Sequence, residues 1–279
     1  MFRVKIMSEQ DFPFAVQLTD EMDWDMVEED FTFMKRLEPE GCFVLFADQE
    51  RTGVATTVSF GEKGWFGNLI VKEKHRGRGA GSLLVEHSLN YLRSRDVKTI
   101  GLYAYIDKVN FYERLGFKYD SRFIVLKGKG FSSAVDASVS EAGRKDTQQI
   151  IDYDSVCFGA SRRKILEAIL NDPNNVGYKS TRNGRMVGYA LAKVYDGVAD
   201  VGPLICPEGC SDLAINLLEA VLNRLKDTEV SLCVPEKERK ILSILLKNRF
   251  AEKFRVVRMF FGEDSFTNCI YVAESLERG

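Results

Sequence analysis

The chain has 279 residues, 45% of them apolar and 29% charged, a balance typical of a soluble globular protein with room for two domains. Its formal net charge of −2 argues against nucleic acid as a partner, because nucleic acid is usually bound by a strongly basic face. No apolar run approaches the ~20 residues of a membrane helix, and the N-terminus lacks the apolar core of a signal peptide. Six scattered cysteines without a CxxC pair, and two histidines, predict free thiols, no metal site and a cytoplasmic location.

Apolar periodicity predicts alternating strands and helices in the first half of the chain. The predicted strands cover residues 2–7, 41–46, 54–60, 65–71, 99–105 and 123–127. The predicted helices cover residues 12–37, 81–95 and 109–115. Gly116 is placed to end the last of these helices in the left-handed conformation.

Residues 128–140 are rich in Gly, Ser and Ala, which predicts a linker or a loop leading to an edge strand. After them the same order of elements returns. The predicted strands of this second half cover residues 186–193, 199–206, 229–234 and, as the final strand, 255–261. Its predicted helices cover residues 213–225 and 238–247.

The two halves form an internal repeat with an offset of roughly 130–134 residues. RTGVATTVSF aligns with RNGRMVGYALAK, GNLIV with VGPLI, and TIGLYA with EVSLCV. The repeat predicts two similarly folded α/β domains.

The strongest local signal lies in residues 69–84, where an apolar strand runs into a glycine-rich basic loop and then a helix. Glycines 77, 79 and 81 let the backbone turn tightly and approach a ligand. The helix N-terminus adds unpaired N–H groups and a positive dipole end, which together suit a pyrophosphate. The spacing is neither GxGxxG, since Ser82 occupies the last position, nor a P-loop. The alternative is an ordinary glycine-rich turn with surface arginines.

The segment Arg76-Gly-Arg-Gly-Ala-Gly81 resembles the [Q/R]xxGx[G/A] motif of the GNAT acetyltransferases. Asn110-Phe-Tyr-Glu-Arg-Leu-Gly-Phe117 resembles the second landmark of that family, in the right order along the chain. The resemblance implies acetyl-CoA as cosubstrate, without a metal. It assigns the cofactor-binding residues as Leu69, Ile70, Val71, Arg76, Gly77, Arg78, Gly79, Ala80, Gly81 and Ser82.

The order of elements is similar to a two-domain subgroup of this family, in which a second domain has no working acyl-CoA loop. The resemblance implies an α/β (α+β) fold of two tandem GNAT-like domains, each a mixed, twisted central sheet flanked by helices. Residues 1–130 would form the catalytic domain, 131–140 the linker, and 141–279 the degenerate domain. In that domain the loop reads CSDLAIN, with Asp212 and bulky side chains replacing glycines, which predicts no acyl-CoA site of its own.

The implied activity is direct attack of an amine on the thioester, with Tyr112 as the general acid for the leaving thiolate. Trp24 is a candidate for the acceptor site, although a core tryptophan is an equal alternative. The family often carries Asn seven residues before the tyrosine, where this chain has Tyr105. The acceptor would be a small-molecule amine or a peptide N-terminus, with no membrane partner; the sequence does not fix the oligomeric state.

No general base stands out from the sequence. The candidates are Asp23, Asp25, Glu73 and Asp154, each of which also fits a solvated surface charge. His75 is expected to face solvent. Two rival functions are a sensor that binds acyl-CoA or a small ligand without turnover, and a nucleic-acid-binding protein using residues 72–78.

Overall fold

The computed structural model describes residues 1–24, 26–195, 197–263 and 269–279, which form thirteen strands and eight α-helices. The strands of the first half are β1 (Phe2–Ile6), β2 (Cys42–Ala47), β3 (Glu50–Phe60), β4 (Lys63–Val71), β5 (Thr99–Tyr105) and β6 (Lys118–Lys129). Those of the second half are β7 (Val139–Glu141), β8 (Val176–Arg182), β9 (Arg185–Tyr195), β10 (Val198–Pro207), β11 (Glu229–Pro235), β12 (Ala251–Phe261) and β13 (Cys269–Val272). The helices are α1 (Phe12–Asp20), α2 (Glu28–Leu37), α3 (Ala80–Arg93), α4 (Val109–Glu113), α5 (Thr147–Phe158), α6 (Arg163–Asn171), α7 (Ser211–Arg224) and α8 (Arg239–Lys247).

The predicted elements of the first half are confirmed, with small shifts at their ends, except for the helix over residues 12–37. That helix is interrupted between α1 and α2, where Asp23 has a left-handed φ of +55°. The Asp30 carboxylate then accepts a hydrogen bond from the Val27 N–H at 3.0 Å and caps α2. Because the acidic side chains favour caps over helix interiors, the segment starts a new helix instead of continuing the old one.

In the second half, β12 was predicted to be the final strand, and this is wrong because β13 follows it. Four elements of this half were not predicted: α5, α6, β8 and β13. Residues 128–140 were predicted to be a linker or a loop leading to an edge strand. The strand that follows is β7, which pairs with β8 starting at Val139↔Ser180. None of the described helices has both the length and the apolar character needed to cross a bilayer.

The strands of the two halves form one continuous sheet in the order β1-β2-β3-β4-β5-β12-β6-β11-β10-β9-β8-β7, with β13 beside β10. The order crosses between the halves at its centre. β12, from the second half, pairs antiparallel with β5, as in Val257↔Ala104. β6, from the first half, pairs antiparallel with β11, as in Leu126↔Leu232. Each half therefore completes its sheet with a strand from the other, an arrangement called the strand exchange below.

An apolar core shared by both halves lies against the exchanged strands. It packs Trp65 of β4 against Phe158 of α5, with ring centroids 6.4 Å apart, and against Phe260 of β12 at 6.0 Å. All three side chains are buried. Because burying such side chains is the main favourable contribution to folding, the two halves stabilise each other.

The expectation of free thiols is wrong for one pair, because Cys157 of α5 and Cys269 of β13 are joined in a disulfide. The two residues are 112 positions apart and meet only after β13 docks beside β10. Cys42, Cys206 and Cys233 are buried free thiols, and Cys210 is exposed. Burial raises the pKa of Cys42 to about 12, so this thiol is chemically inert at neutral pH.

Asp154 of α5 forms a fully buried ion pair with Arg162. Arg162 donates from Nη2 to Asp154 Oδ1 at 2.7 Å and from Nε to Oδ2 at 3.1 Å, and the Tyr189 hydroxyl donates to the same carboxylate. Asp154, one of the candidate general bases, is therefore committed to a structural network in the core.

We expect Asp154→Ala to lower the free energy of unfolding by about 3–5 kcal/mol, because it leaves a buried guanidinium without its counter-ion. Denaturant unfolding measures this. Asp152→Ala on the exposed face of α5 is the matched control and should change stability by less than about 0.5 kcal/mol. A loss below about 1 kcal/mol for Asp154→Ala would contradict the buried-pair interpretation.

Candidate active site

The parallel strands β4 and β5 separate near the middle of β4. Their pairing is limited to residues Lys63–Trp65 of β4 and Thr99–Gly101 of β5. Beyond that point β4 carries a bulge: its register against β3 shifts between Gly67 and Ile70, and Asn68 has a left-handed φ of +51°. The edge of β4 that faces β5 is thus left without a strand partner from residue 66 to 71. We call this opening the strand gap.

A cavity of about 2410 Å³ includes the strand gap and is lined by both halves. Its volume exceeds the ~300–1,000 Å³ of a typical small-ligand pocket, so there is room for two substrates. The first half contributes β4, the glycine-rich loop and α4, and the second half contributes β10, β12 and residues 273–278. A ligand in the strand gap would contact both halves.

The glycine-rich loop leads from β4 to the N-terminus of α3. Gly77 and Gly79 have φ of +73° and +80°, and an added Cβ at either would meet no atom within 4 Å. Within the described chain, the backbone N–H groups of residues 77–82 donate no hydrogen bond, while the first intrahelical bond runs from Leu83 to Gly79. A row of free amides at a helix N-terminus is an anion site, and it fits the pyrophosphate of a nucleotide cosubstrate.

The predicted arginines of the loop differ in position. Arg76 Nε donates to the carbonyl oxygen of Val71 at 2.8 Å, which fixes the loop against the end of β4. Arg78 is exposed. Arg76 is thus held by the scaffold, whereas Arg78 is free to approach an anion.

The basic residues before the loop are partly neutralised by Glu50. Its carboxylate lies 3.2 Å from Lys72 Nζ, 2.8 Å from Lys74 Nζ and 3.5 Å from His75 Nε2. The hydrogen bonds from these groups, that of Lys74 first, lower the pKa of Glu50 to about 2. His75, expected to face solvent, is mostly buried in this cluster. The cluster therefore offers less free positive charge than residues 72–78 indicate.

Tyr112 lies on α4 and lines the cavity together with residues 69–71 of β4. Its ring packs edge-on against Phe66 of β4, with centroids 6.4 Å apart, and against Phe117 at 5.7 Å. The side chain is only 8% exposed, and burial raises its pKa above the ordinary tyrosine value. The hydroxyl consequently stays protonated at neutral pH and is able to donate a proton.

Trp24 also lines the cavity, and its Nε1 donates to the Tyr105 hydroxyl at 2.8 Å. Tyr105, which replaces the family's frequent Asn, packs against Phe254 of β12 with ring centroids 5.2 Å apart. Tyr105 thereby joins the segment after α1 to the exchanged strand. The role of Trp24 in acceptor binding stays a prediction.

Residues 273–279 also belong to this site, although they were not predicted to. Trp65 Nε1 donates to the Leu276 carbonyl oxygen at 3.2 Å, and the Glu277 backbone packs directly against Gly67 of β4. Glu274 is held by Lys193 Nζ at 2.5 Å and by Arg278 Nε at 2.9 Å. The one available signal was Gly67 within an apolar strand, since a strand glycine often marks a close backbone approach.

The corresponding opening in the second half is filled by the chain itself. The pairing of β10 with β11 is limited to residues Val198–Asp200 of β10 and Glu229–Ser231 of β11. Beyond that point β13 lies beside β10, with Leu204↔Val272, and Ala273 N donates to the Cys233 carbonyl oxygen at 3.2 Å. The backbone that a ligand would use here is therefore already paired.

Of the remaining candidate bases, Asp23 lines the cavity and Glu73 does not. Glu73 and Asp23 are exposed, and Asp25 lies outside the described residues. Among the described residues, no group of three or more His, Cys, Asp or Glu side chains is arranged to hold a metal ion.

Two family models match the chain. One, described as the acetyltransferase (GNAT) family, matches residues 3–117, and the other, an acetyltransferase (GNAT) domain, matches residues 150–270. Together they span most of both halves.

Several solved structures share the fold over nearly the whole chain. A candidate acetyltransferase from Pyrococcus horikoshii is 20% identical, with a TM-score of 0.82 over 100% of this chain and 96% of that one. A GCN5-related N-acetyltransferase from Sphaerobacter thermophilus is 18% identical, with a TM-score of 0.69 over 95% and 98%. A tandem GNAT protein from the clavulanic acid biosynthesis pathway is 14% identical, with a TM-score of 0.63 over 95% and 100%.

Proposed function

Since the chain belongs to the GNAT family of acetyltransferases and carries a GNAT domain in each half, we propose that it transfers an acetyl group from acetyl-CoA to a primary amine. The amine attacks the thioester directly in a ternary complex. The main support is the row of free backbone amides from residue 77 to 82 beside the strand gap. We assign residues 1–130 to the catalytic domain, 131–140 to the linker and 141–279 to the second domain.

Acetyl-CoA would supply an acetyl group activated as a thioester. The amides of residues 77–82 bind its pyrophosphate, and Arg78 approaches from the side. The free edge of residues 69–71 pairs with its extended arm as an additional strand would. This arrangement brings the reacting carbonyl into the strand gap, next to Tyr112.

The second domain binds no acyl-CoA and forms the wall of the acceptor site. This agrees with β13 beside β10 and with Asp212 near the start of α7, paired to Lys240 at 3.0 Å. On the acceptor side, burial raises the pKa of both Asp30 and Asp200, and the charge of Asp30 adds to the rise at Asp200. The cytoplasmic location stays a prediction.

The test is release of CoA from acetyl-CoA in the presence of spermidine, lysine, glucosamine or an alanine tripeptide, with calorimetry on the same protein. We expect one acetyl-CoA per chain and CoA release with at least one amine. A sensor would bind acetyl-CoA and release no CoA with any of the four. Two binding sites per chain would contradict the role given to the second domain.

Tyr112→Phe should lower kcat by about 10²–10⁴, because the departing thiolate loses its proton donor, while acetyl-CoA affinity changes little. In the unchanged chain, kcat should show no fall on the alkaline side until above about pH 10, because Tyr112 must be protonated and burial raises its pKa. Tyr119→Phe, on the exposed part of β6, is the matched control. Near-normal kcat for Tyr112→Phe would leave this ring with a packing role alone.

A further inference from the structure

Residues 273–279 carry a carboxylate from the second half to the face of β4 beside the strand gap. A Cβ added to Gly67 would lie 2.7 Å from the Glu277 Cα and 2.9 Å from its carbonyl oxygen. Gly67 lies two residues beyond Trp65, the last β4 residue that pairs with β5. The backbone of Glu277 is therefore packed on β4 at the point where the strand gap begins.

The Glu277 side chain is half-buried, lines the cavity, and has no hydrogen bond or ion pair among the described residues. Its charge contributes to raising the pKa of Asp30 and of Tyr105, which also line the cavity. The carboxylate consequently faces the cavity. Glu274, three residues earlier, is instead saturated by Lys193 and Arg278.

Two other buried or half-buried cavity carboxylates, Asp30 and Asp200, are less suited to act on a group in the strand gap. Asp30 caps α2 through the Val27 N–H. Asp200 lies on β10, where that strand pairs with both β9 and β11 of the second half. Of these three residues, Glu277 is the one whose backbone packs against β4.

We propose that Glu277 is the general base of the acetyl transfer, supplied to the first half by the second. This rests on the proposed function. As the nitrogen of a neutral amine bonds to the acetyl carbon, its N–H becomes strongly acidic and its proton passes to the Glu277 carboxylate. The carbon–sulfur bond breaks, and the thiolate takes the proton of Tyr112. Transfer of the proton from Glu277 to the Tyr112 phenolate through solvent restores both groups, so amine and thioester give amide and thiol.

The experiment compares Glu277→Gln, Glu277→Asp and the unchanged chain with the most active amine of the panel. For Glu277→Gln we expect kcat to fall by about 10²–10⁴, with the remaining rate rising about tenfold per pH unit as hydroxide replaces the base. Glu277→Asp keeps a carboxylate and should retain at least about tenfold more activity than Glu277→Gln. Acetyl-CoA affinity by calorimetry and the thermal unfolding midpoint should be unchanged in both variants.

Glu86→Gln, an exposed carboxylate on α3 outside the cavity, is the matched control and should keep full activity. If Glu277→Gln turned over with the same pH profile as the unchanged chain, the role of Glu277 would be refuted. The proposed acetyltransferase function would not be affected. Equal losses in Gln and Asp variants, accompanied by a lowered unfolding midpoint, would show a structural role and also refute it. No turnover by the unchanged chain with any amine would refute both proposals.

Discussion

Gly79→Asp is expected to abolish measurable acetyl-CoA binding while the protein stays folded. Gly79 precedes α3 with φ of +80°, among the backbone amides that are free to bind a pyrophosphate. A carboxylate there would repel the pyrophosphate, and its side chain would occupy the space that glycine leaves for close approach. The fold should survive because an added Cβ meets no atom within 4 Å. Calorimetry with acetyl-CoA, with circular dichroism as a check on folding, measures both expectations.

The second half provides a matched control for this change. Gly209 lies in the turn before α7, has φ of +81°, and also has no atom within 4 Å of an added Cβ. Gly209→Asp therefore introduces the same charge and a similar backbone strain of about 1 kcal/mol. It should leave acetyl-CoA binding unchanged. Unaltered affinity in a folded Gly79→Asp variant would remove the cofactor assignment, and a loss in Gly209→Asp would point to a site in the second half.

A chain ending at Ser140 should fail to form a stable, active acetyltransferase domain. In the full protein β6 lies between β11 and β12, both from the second half, and β5 pairs with β12. The fragment lacks all of these neighbours. The fragment would expose the apolar faces of β5 and β6 as well as unpaired edges, which favours aggregation. Size-exclusion chromatography and acetyl-CoA calorimetry on the isolated fragment test this.

Producing residues 1–140 and 141–279 as two separate chains in one cell is the control. Because the strand exchange is held by hydrogen bonds and packing, the two fragments should assemble and recover binding. A monomeric, fully active 1–140 fragment would show that the first half needs neither β12 nor residues 273–279.

The features predicted correctly are those that a short stretch of sequence determines. The glycine-rich loop and α3 follow from three glycines next to a helical apolar period, and α3 buries Leu84, Val85, Leu89 and Leu92 as one face. The repeat likewise predicted similar elements in both halves, because each strand's alternation is a local property.

The strand exchange could not be predicted in this way. β6 and β12 have the alternation of any buried strand, and nothing within them specifies which half supplies their neighbours. The same holds for Glu277: its contact with Gly67 joins residues 210 positions apart and depends on β13 docking beside β10. Cys157 and Cys269 meet for the same reason. These contacts are decided by tertiary packing, which local propensity does not encode.

The strand exchange also restricts how an acceptor reaches the cavity. In many two-domain enzymes the domains swing apart about a hinge to admit a substrate. Here that motion would require breaking the β5–β12 and β6–β11 ladders, each with six or more residue pairs, in the centre of the sheet. Opening of that kind costs nearly as much as global unfolding. Entry and release must therefore use movements of surface segments at the mouth of the cavity, and the amides of β12 should exchange with solvent as slowly as those of the most protected core.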